Sequence, residues 1–387
     1  MSNEAFITRI LASEFPRLQT QFPILSVTGP RQSGKTSLCK NVFPDYRYAN
    51  LELAMTRTAA ENDPAAFLRA FGNNGAIIDE AQRVPELFSA AQVLVDEDRS
   101  RKFVFTGSSN FLLMKNISQS LAGRVAITKL LPFSLAELSE FAANADVDEL
   151  IFRGGFPAVW KPDARPDDIF ANYYETYIER DVRQVEEIRN LRSFRDFIRL
   201  CASSTGSEFN ASAFAKSLGV SIQTVQSWTS VLEASYVVIR LPAFFRNIRK
   251  TIVKRPKLYM CDTGLACWLL GIESAEQLKS HPLRGALFEN LIVLEFFKRR
   301  FSSAARTDTL FFYRDQAQKE IDLVEERAGK LLAYEIKSTT SFRKDFFKNL
   351  NYFRSVFGGE VRSTQLIYAG ETELPSENNG IINFRNL

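Results

Sequence analysis

Five short, mostly apolar runs lie in the first third of the chain, at residues 24–27, 46–51, 76–78, 103–105 and 125–130, with longer stretches of helical spacing between them. A strand with one solvated face alternates apolar and polar positions. These runs are largely continuous, so both faces are expected to be covered. A parallel sheet between helices has this pattern, which predicts an α/β domain over residues 1–134.

From about residue 135 to 185 the spacing turns helical, broken at Gly154-Gly155-Phe156-Pro157, and predicts a helical lid over residues 135–190. Residues 194–201, 211–218 and 222–234 read as helices with a turn at Gly219, and residues 236–259 are β-rich. Three helices followed by a hairpin is the order of a winged helix, placed at residues 191–282. A last domain, residues 283–387, opens with a helix at 285–300 and continues with strands near 310–313, 321–325 and 331–336.

Composition narrows the class. The chain has 387 residues, 45% apolar and 24% charged, which suits several ordinary domains. Its longest apolar stretch, near residues 264–272, falls well short of the roughly 20 residues a membrane helix needs. The first residues, with Glu4, Arg9 and Glu14, lack the basic-then-apolar order of a signal peptide, so a cytoplasmic location without membrane attachment is expected. The four cysteines are dispersed and read as buried thiols. A single histidine, His281, excludes histidine catalysis and multi-histidine metal sites. A net charge of +4 is mild, so any nucleic-acid surface must be a local cluster.

The sharpest chemistry is in Gly29-Pro30-Arg31-Gln32-Ser33-Gly34-Lys35-Thr36, a G-x-x-x-x-G-K-[ST] phosphate loop between an apolar strand and a helix. Its backbone amides and the helix N-terminus attract phosphates, Lys35 reaches the β- and γ-phosphates, Thr36 ligates magnesium and Ser37 completes the binding segment. The expected cofactors are ATP and Mg2+. Residues 76–78 run into Asp79-Glu80, which places Asp79 as a magnesium partner and Glu80 as the group that orients or deprotonates water. The same pair also reads as a helix cap. After residues 103–105 comes Thr106-Gly107-Ser108-Ser109-Asn110, where Ser109, with Asn110 as substitute, is the expected γ-phosphate sensor, or an ordinary turn. Arg124 in Leu121-Ala122-Gly123-Arg124 reads equally as a cation aimed at a neighbouring subunit's phosphate and as a surface ion pair.

Two further groups stand out. Residues 240–257 hold seven cations, Arg240, Arg246, Arg249, Lys250, Lys254, Arg255 and Lys257, and no acid. With Gln223, Thr224, Gln226 and Ser227 on the preceding helix, they read as a DNA-contacting wing, or as a protein-docking module. Near the C-terminus, Glu289 lies on a helix, Asp322 on a strand, and Glu335 and Lys337 on one face of the next strand. Carboxylates in this order, above all Asp322 and Glu335, gather magnesium, and a lysine beside them stabilises charge during phosphodiester cleavage.

With these motifs in view, residues 20–145 resemble an AAA-type ATPase. The whole chain, with Gly154-Gly155-Phe156-Pro157 and Glu179-Arg180-Asp181 between, resembles a widespread family of prokaryotic ATPases that join such a domain to a winged helix and a C-terminal domain similar to PD-(D/E)xK, restriction-endonuclease-like nucleases. The resemblance maps the nuclease motif onto Glu289, Asp322, Glu335 and Lys337, with the proline of the class missing before Asp322. It implies an oligomeric ATPase, a hexamer favoured, that binds, translocates or remodels DNA and carries a possible nuclease. The alternative is a nucleotide-gated DNA-binding switch on an inactive nuclease-like scaffold, and a third reading is an ATPase that remodels a protein partner.

Overall fold

The computed structural model describes residues 7–107, 121–182, 190–245 and 255–387. They form two compact units, the first made of the described residues up to Phe133 with Ala234–Tyr236 and Lys298–Ala305, the second of the remaining described residues.

The first unit is built on a parallel five-stranded sheet in the order β2-β3-β4-β1-β5, with β1 at Ile24–Thr28, β2 at Arg47–Asn50, β3 at Ala76–Asp79, β4 at Phe103–Gly107 and β5 at Val125–Lys129. Every residue of β1, β3 and β4 is buried, because successive side chains feed two different cores. Ile24, Ile78 and Phe105 meet Leu87, Phe88 and Leu94 of the helix Glu86–Glu97 on one face. Leu25, Val27, Ile77 and Val104 meet Leu11, Phe15, Leu38 and Cys39 on the other. The continuous apolar runs therefore have a direct physical cause, and the α/β expectation for this part of the chain matches the observed sheet.

In the second unit, the helices Leu191–Ser203, Ala211–Leu218 and Ile222–Ala234 fall where the spacing placed them. Asn190 and Asn210 cap the first two by accepting the amides of Ser193 and Ala213, and Phe194, Phe197, Phe214 and Trp228 pack ring against ring between the three. A small antiparallel sheet, β6 (Ser207–Glu208), β8 (Lys257–Met260) and β7 (Val238–Leu241), completes this region. The segment expected as a lid holds the helices Val147–Arg153 and Pro166–Tyr173, which group with the second unit and pack on the helix Thr263–Leu269. The Gly155 amide donates to Asp262 Oδ2 at 2.7 Å and fixes the Gly-Gly turn there.

The C-terminal residues form a second five-stranded sheet, β13-β12-β11-β10-β9. β9 (Leu310–Arg314), β10 (Glu320–Arg327) and β11 (Lys330–Lys337) are antiparallel, while β11, β12 (Val361–Tyr368) and β13 (Gly380–Asn383) run parallel. The helix Lys348–Phe357 covers the sheet through Leu350 and Phe353, and the helix Arg284–Ser302 precedes β9. All four cysteines are buried free thiols. Among the described residues no helix is long and apolar enough to cross a membrane.

Candidate nucleotide site and C-terminal charge cluster

β1 ends at Thr28, and the chain then turns sharply into the helix Lys35–Val42. Gly29 has φ 151°, and a Cβ there would stand 2.1 Å from the carbonyl oxygen of Leu130; Gly34 has φ 90°. Side-chain-free residues are needed at both positions to curl the loop this tightly. Ser33 is fully buried and its hydroxyl has no hydrogen-bond partner. Lys35 lies 7% exposed, with its ammonium donating to the carbonyls of Gly29 at 3.0 Å and Pro30 at 2.7 Å. Burial pulls its pKa down to about 8, against the opposing pull of Glu80 and Asp79. An orphaned hydroxyl and a desolvated ammonium resting on its own loop are groups that a phosphate satisfies, so the residues present fit ATP.

Asp79 ends β3, and β4 lies between β3 and β1. Its Oδ2 accepts from Thr36 Oγ1 and Tyr48 OH, each at 2.8 Å, and its Oδ1 accepts from Thr106 Oγ1. A carboxylate and the Thr36 hydroxyl held together at the mouth of the loop are the oxygen donors that magnesium takes. Glu80 adopts left-handed backbone, φ 56° and ψ 41°, which turns it out of the strand direction, and Gln82 Nε2 donates to its carboxylate. Thr36 and Asp79 meet directly, Glu80 lies near enough to act on the Lys35 charge, and Ser37 lies exposed on the first helical turn.

Three partners escaped the sequence. Tyr48 and Thr106 orient Asp79. Arg9, only 5% exposed, donates to the carbonyls of Ser33 at 2.7 Å and Leu131 at 2.6 Å and lies over the Phe133 ring. A strand-end polar signal existed for Thr106, but none tied Arg9 to a loop more than twenty residues away. Ser109 and Asn110 lie outside the described residues. Arg124 directly precedes β5, and its guanidinium grips Asp96 with two 2.7 Å hydrogen bonds.

Glu289, Asp322, Glu335 and Lys337 do come together, but with company. Lys257, the first residue of β8 and only 2% exposed, places its ammonium 2.8 Å from Glu289 Oε1 and 2.5 Å from Glu320 Oε1. Lys337 Nζ stands 2.6 Å from Glu335 Oε1 and 3.6 Å from Asp322 Oδ2, and Asp322 Oδ2 also accepts the Ile336 amide at 2.8 Å. Burial, with Asp322 nearby, pushes the Glu335 carboxyl up to about 8, and burial likewise raises Glu289. Among the described residues no three His, Cys, Asp or Glu side chains are grouped to hold a metal ion. One oxygen of each expected magnesium ligand is taken up within the chain, Glu335 Oε1 by Lys337 and Asp322 Oδ2 by Lys337 and the Ile336 amide, while Glu335 Oε2 is buried without a hydrogen-bond partner. Lys257 also leaves the expected wing, being buried, and Arg240 is paired with Glu233.

Comparison with known proteins agrees with the first unit. Residues 21–139 match the AAA domain family, while residues 144–276 and 284–387 match two domains of unknown function, DUF8612 and DUF4143. The uncharacterized protein Rv2008c of Mycobacterium tuberculosis is 32% identical over 341 residues, which span 86% of this chain and 74% of that protein. The chain belongs to the family of Rv2008c. The uncharacterized protein MJ1544 of Methanocaldococcus jannaschii is 23% identical, spanning 82% of this chain and 76% of its own. Among solved structures, the walker-type ATPase paby2304 of Pyrococcus abyssi is similar at 15% identity and TM-score 0.44, covering 69% of this chain and 97% of that one. By the match over residues 21–139, this member of the Rv2008c family carries an AAA-type ATPase domain, in which the phosphate loop and Asp79-Glu80 lie.

Proposed function

We propose that the chain hydrolyses ATP with magnesium and couples the turnover to work on DNA, as a homo-oligomer. The observation that carries the reading is the convergence of Lys35, Thr36, Asp79 and Glu80 at the carboxyl ends of β1 and β3. Bound ATP supplies the phosphoryl group, and magnesium neutralises its oxygens. Lys35 would leave the loop carbonyls for phosphate, Thr36 and Asp79 would hold the metal, and Glu80 would orient and deprotonate the attacking water.

Arg124 has a place in this reading as the residue that completes a neighbour's site by releasing Asp96 and turning to the transferring phosphate. Mixing Arg124→Ala with Glu80→Gln protein is expected to restore turnover that neither parent has. About a quarter of the interfaces then pair an intact Glu80 with an intact arginine. Turnover measured across mixing ratios checks this, and mixtures as inactive as the parents in an assembled oligomer would remove Arg124 from the role.

DNA contact rests on the three helices with their small sheet, whose order supports a winged helix, on exposed Gln223 and Gln226, and on the hairpin cations. Arg246, Arg249, Lys250 and Lys254 lie outside the described residues, and Arg255 is exposed. Changing Arg249, Lys250, Lys254 and Arg255 to serine is expected to weaken DNA binding and reduce the log–log salt slope by about 3 to 4. An unchanged slope in fluorescence titrations would place the contact elsewhere.

The C-terminal order of helix, three antiparallel strands, helix and parallel strands supports the restriction-endonuclease-like reading of that domain. Two functions remain for it, cutting the strand or holding it. The lysines seated on its carboxylates favour the second, a nucleotide-gated DNA-binding machine whose nuclease-like domain is a scaffold.

A further inference from the structure

We propose that Lys257 is the resident cation of the C-terminal acidic cluster, seated where a divalent metal would otherwise bind, so that the wild-type cluster takes up no such metal. This deepens the scaffold reading above and rests on it.

Four carboxylates, Glu289, Glu320, Asp322 and Glu335, crowd one region of the second unit, and like charges so placed repel unless a cation lies among them. The chain supplies three cations. Lys257 bridges Glu289 and Glu320, Lys337 sits on Glu335 and Asp322, and Arg314 reaches Glu320 Oε2 at 2.5 Å and Glu208 Oε1 at 2.9 Å. Of these, Lys257 is the most deeply buried, and it comes from a different element, the first position of β8 in the small sheet. Its ammonium also faces the Phe312 ring at 5.6 Å, so aliphatic stem and charge are both enclosed. Tyr259, two residues on and on the same face of β8, donates to Glu289 Oε1 at 2.6 Å. One oxygen of Glu289 thereby accepts from both Lys257 and Tyr259.

A magnesium ion needs near-octahedral oxygen donors at about 2.1 Å, and manganese is similar in its preference for carboxylates. Glu289 Oε1, Asp322 Oδ2 and Glu335 Oε1 already receive an ammonium, a phenol or a backbone amide, and Glu335 Oε2, buried without a partner, is a single donor where a metal needs several. Glu289 and Glu320 hold the Lys257 ammonium at 2.8 and 2.5 Å. A metal must therefore displace a charged, enclosed side chain that the surrounding acids retain. The signal for this role was hidden in the sequence, where Lys257 reads as the last cation of a basic hairpin.

The test is a titration of the nucleotide-free full chain with Mn2+, followed by electron paramagnetic resonance, in wild type, Lys257→Arg and Lys257→Met, each with and without Asp322→Asn. Subtracting the Asp322→Asn arm removes any binding at Asp79. Wild type and Lys257→Arg are expected to show no Asp322-dependent Mn2+. Folded Lys257→Met is expected to gain one such site, at least ten-fold tighter than any in wild type. An Asp322-dependent site in the wild type overturns the proposal, and so does a folded Lys257→Met that gains none. The wild-type titration decides even if Lys257→Met does not fold. The readout is metal occupancy, so failure of the ATPase reading leaves the result standing. A parallel incubation of wild type with Mn2+ and linear duplex separates the remaining failures. An Mn2+ site without cleavage overturns the role of Lys257 alone, and cleavage abolished by Asp322→Asn overturns the scaffold as well.

Discussion

Lys35→Met protein is expected to lose tight ATP binding and, at the same time, to be more stable than the wild type without nucleotide. Both effects have one cause. The Lys35 ammonium rests on two carbonyls in the loop, where burial holds its pKa near 8 and not at the ordinary 10.5. In the free protein that burial is a cost, because the unfolded chain keeps the charge in water. On binding, the same ammonium meets triphosphate oxygens, and its loss removes a buried charge-assisted contact worth about 3 kcal/mol, a hundred-fold or more in affinity. Methionine keeps the length and apolar stem, so the substitution should raise free-protein stability at neutral pH by about 1 to 3 kcal/mol. Below about pH 8 both states are protonated and the wild type carries the full penalty. Between 8 and 10.5 the unfolded chain binds the extra proton, so wild-type stability rises with pH across that window. In Lys35→Met this rise should be absent. Nucleotide titrations together with urea unfolding at pH 7 and pH 10 check both halves, and undiminished ATP affinity would remove Lys35 from the phosphates.

Glu80→Gln should behave in the opposite way, binding ATP normally and failing to turn it over. The substitution keeps the size of the side chain and can still accept from Gln82, and it leaves the Thr36–Asp79 pair intact. What it loses is the ability to take a proton from water, a contribution of about 100- to 10,000-fold in rate. ATP should therefore accumulate on the protein in Mg2+, with phosphate release slowed at least a hundred-fold. Phosphate-release rates beside equilibrium binding make the comparison, and hydrolysis at the wild-type rate would show that Asp79 or a group outside the pair acts on the water.

Several features were legible before any fold was known because their causes are local. The phosphate loop is read from Gly29, Gly34, Lys35 and Thr36, since only glycine takes those backbone angles and only a following helix presents its amides. The sheet of the first unit is read from runs apolar on both faces, and the helices at Ala211–Leu218 and Ile222–Ala234 from their spacing and the Gly219 turn. β12 and β13 were not foreseen, and nor was the helix Lys348–Phe357, because polar residues break up their apolar positions and their burial comes from neighbours distant in sequence.

Tertiary structure alone decided the fate of individual charges. A lysine's sequence neighbours describe its propensity and not its surroundings, so Lys257 counted with Arg255 as a wing cation until folding enclosed it against Glu289 and Glu320. Arg9 counted as a terminal charge until it met the Ser33 carbonyl, and nothing in the sequence paired Arg124 with Asp96, which it holds in the folded chain. Electrostatic contacts are screened beyond about 10 Å in salt solution and strengthen when water is excluded. Which charges meet, and how dry the place is where they meet, are properties of the packed chain. The motif placed Glu289, Asp322, Glu335 and Lys337 in one cluster; only the fold put a second lysine among them.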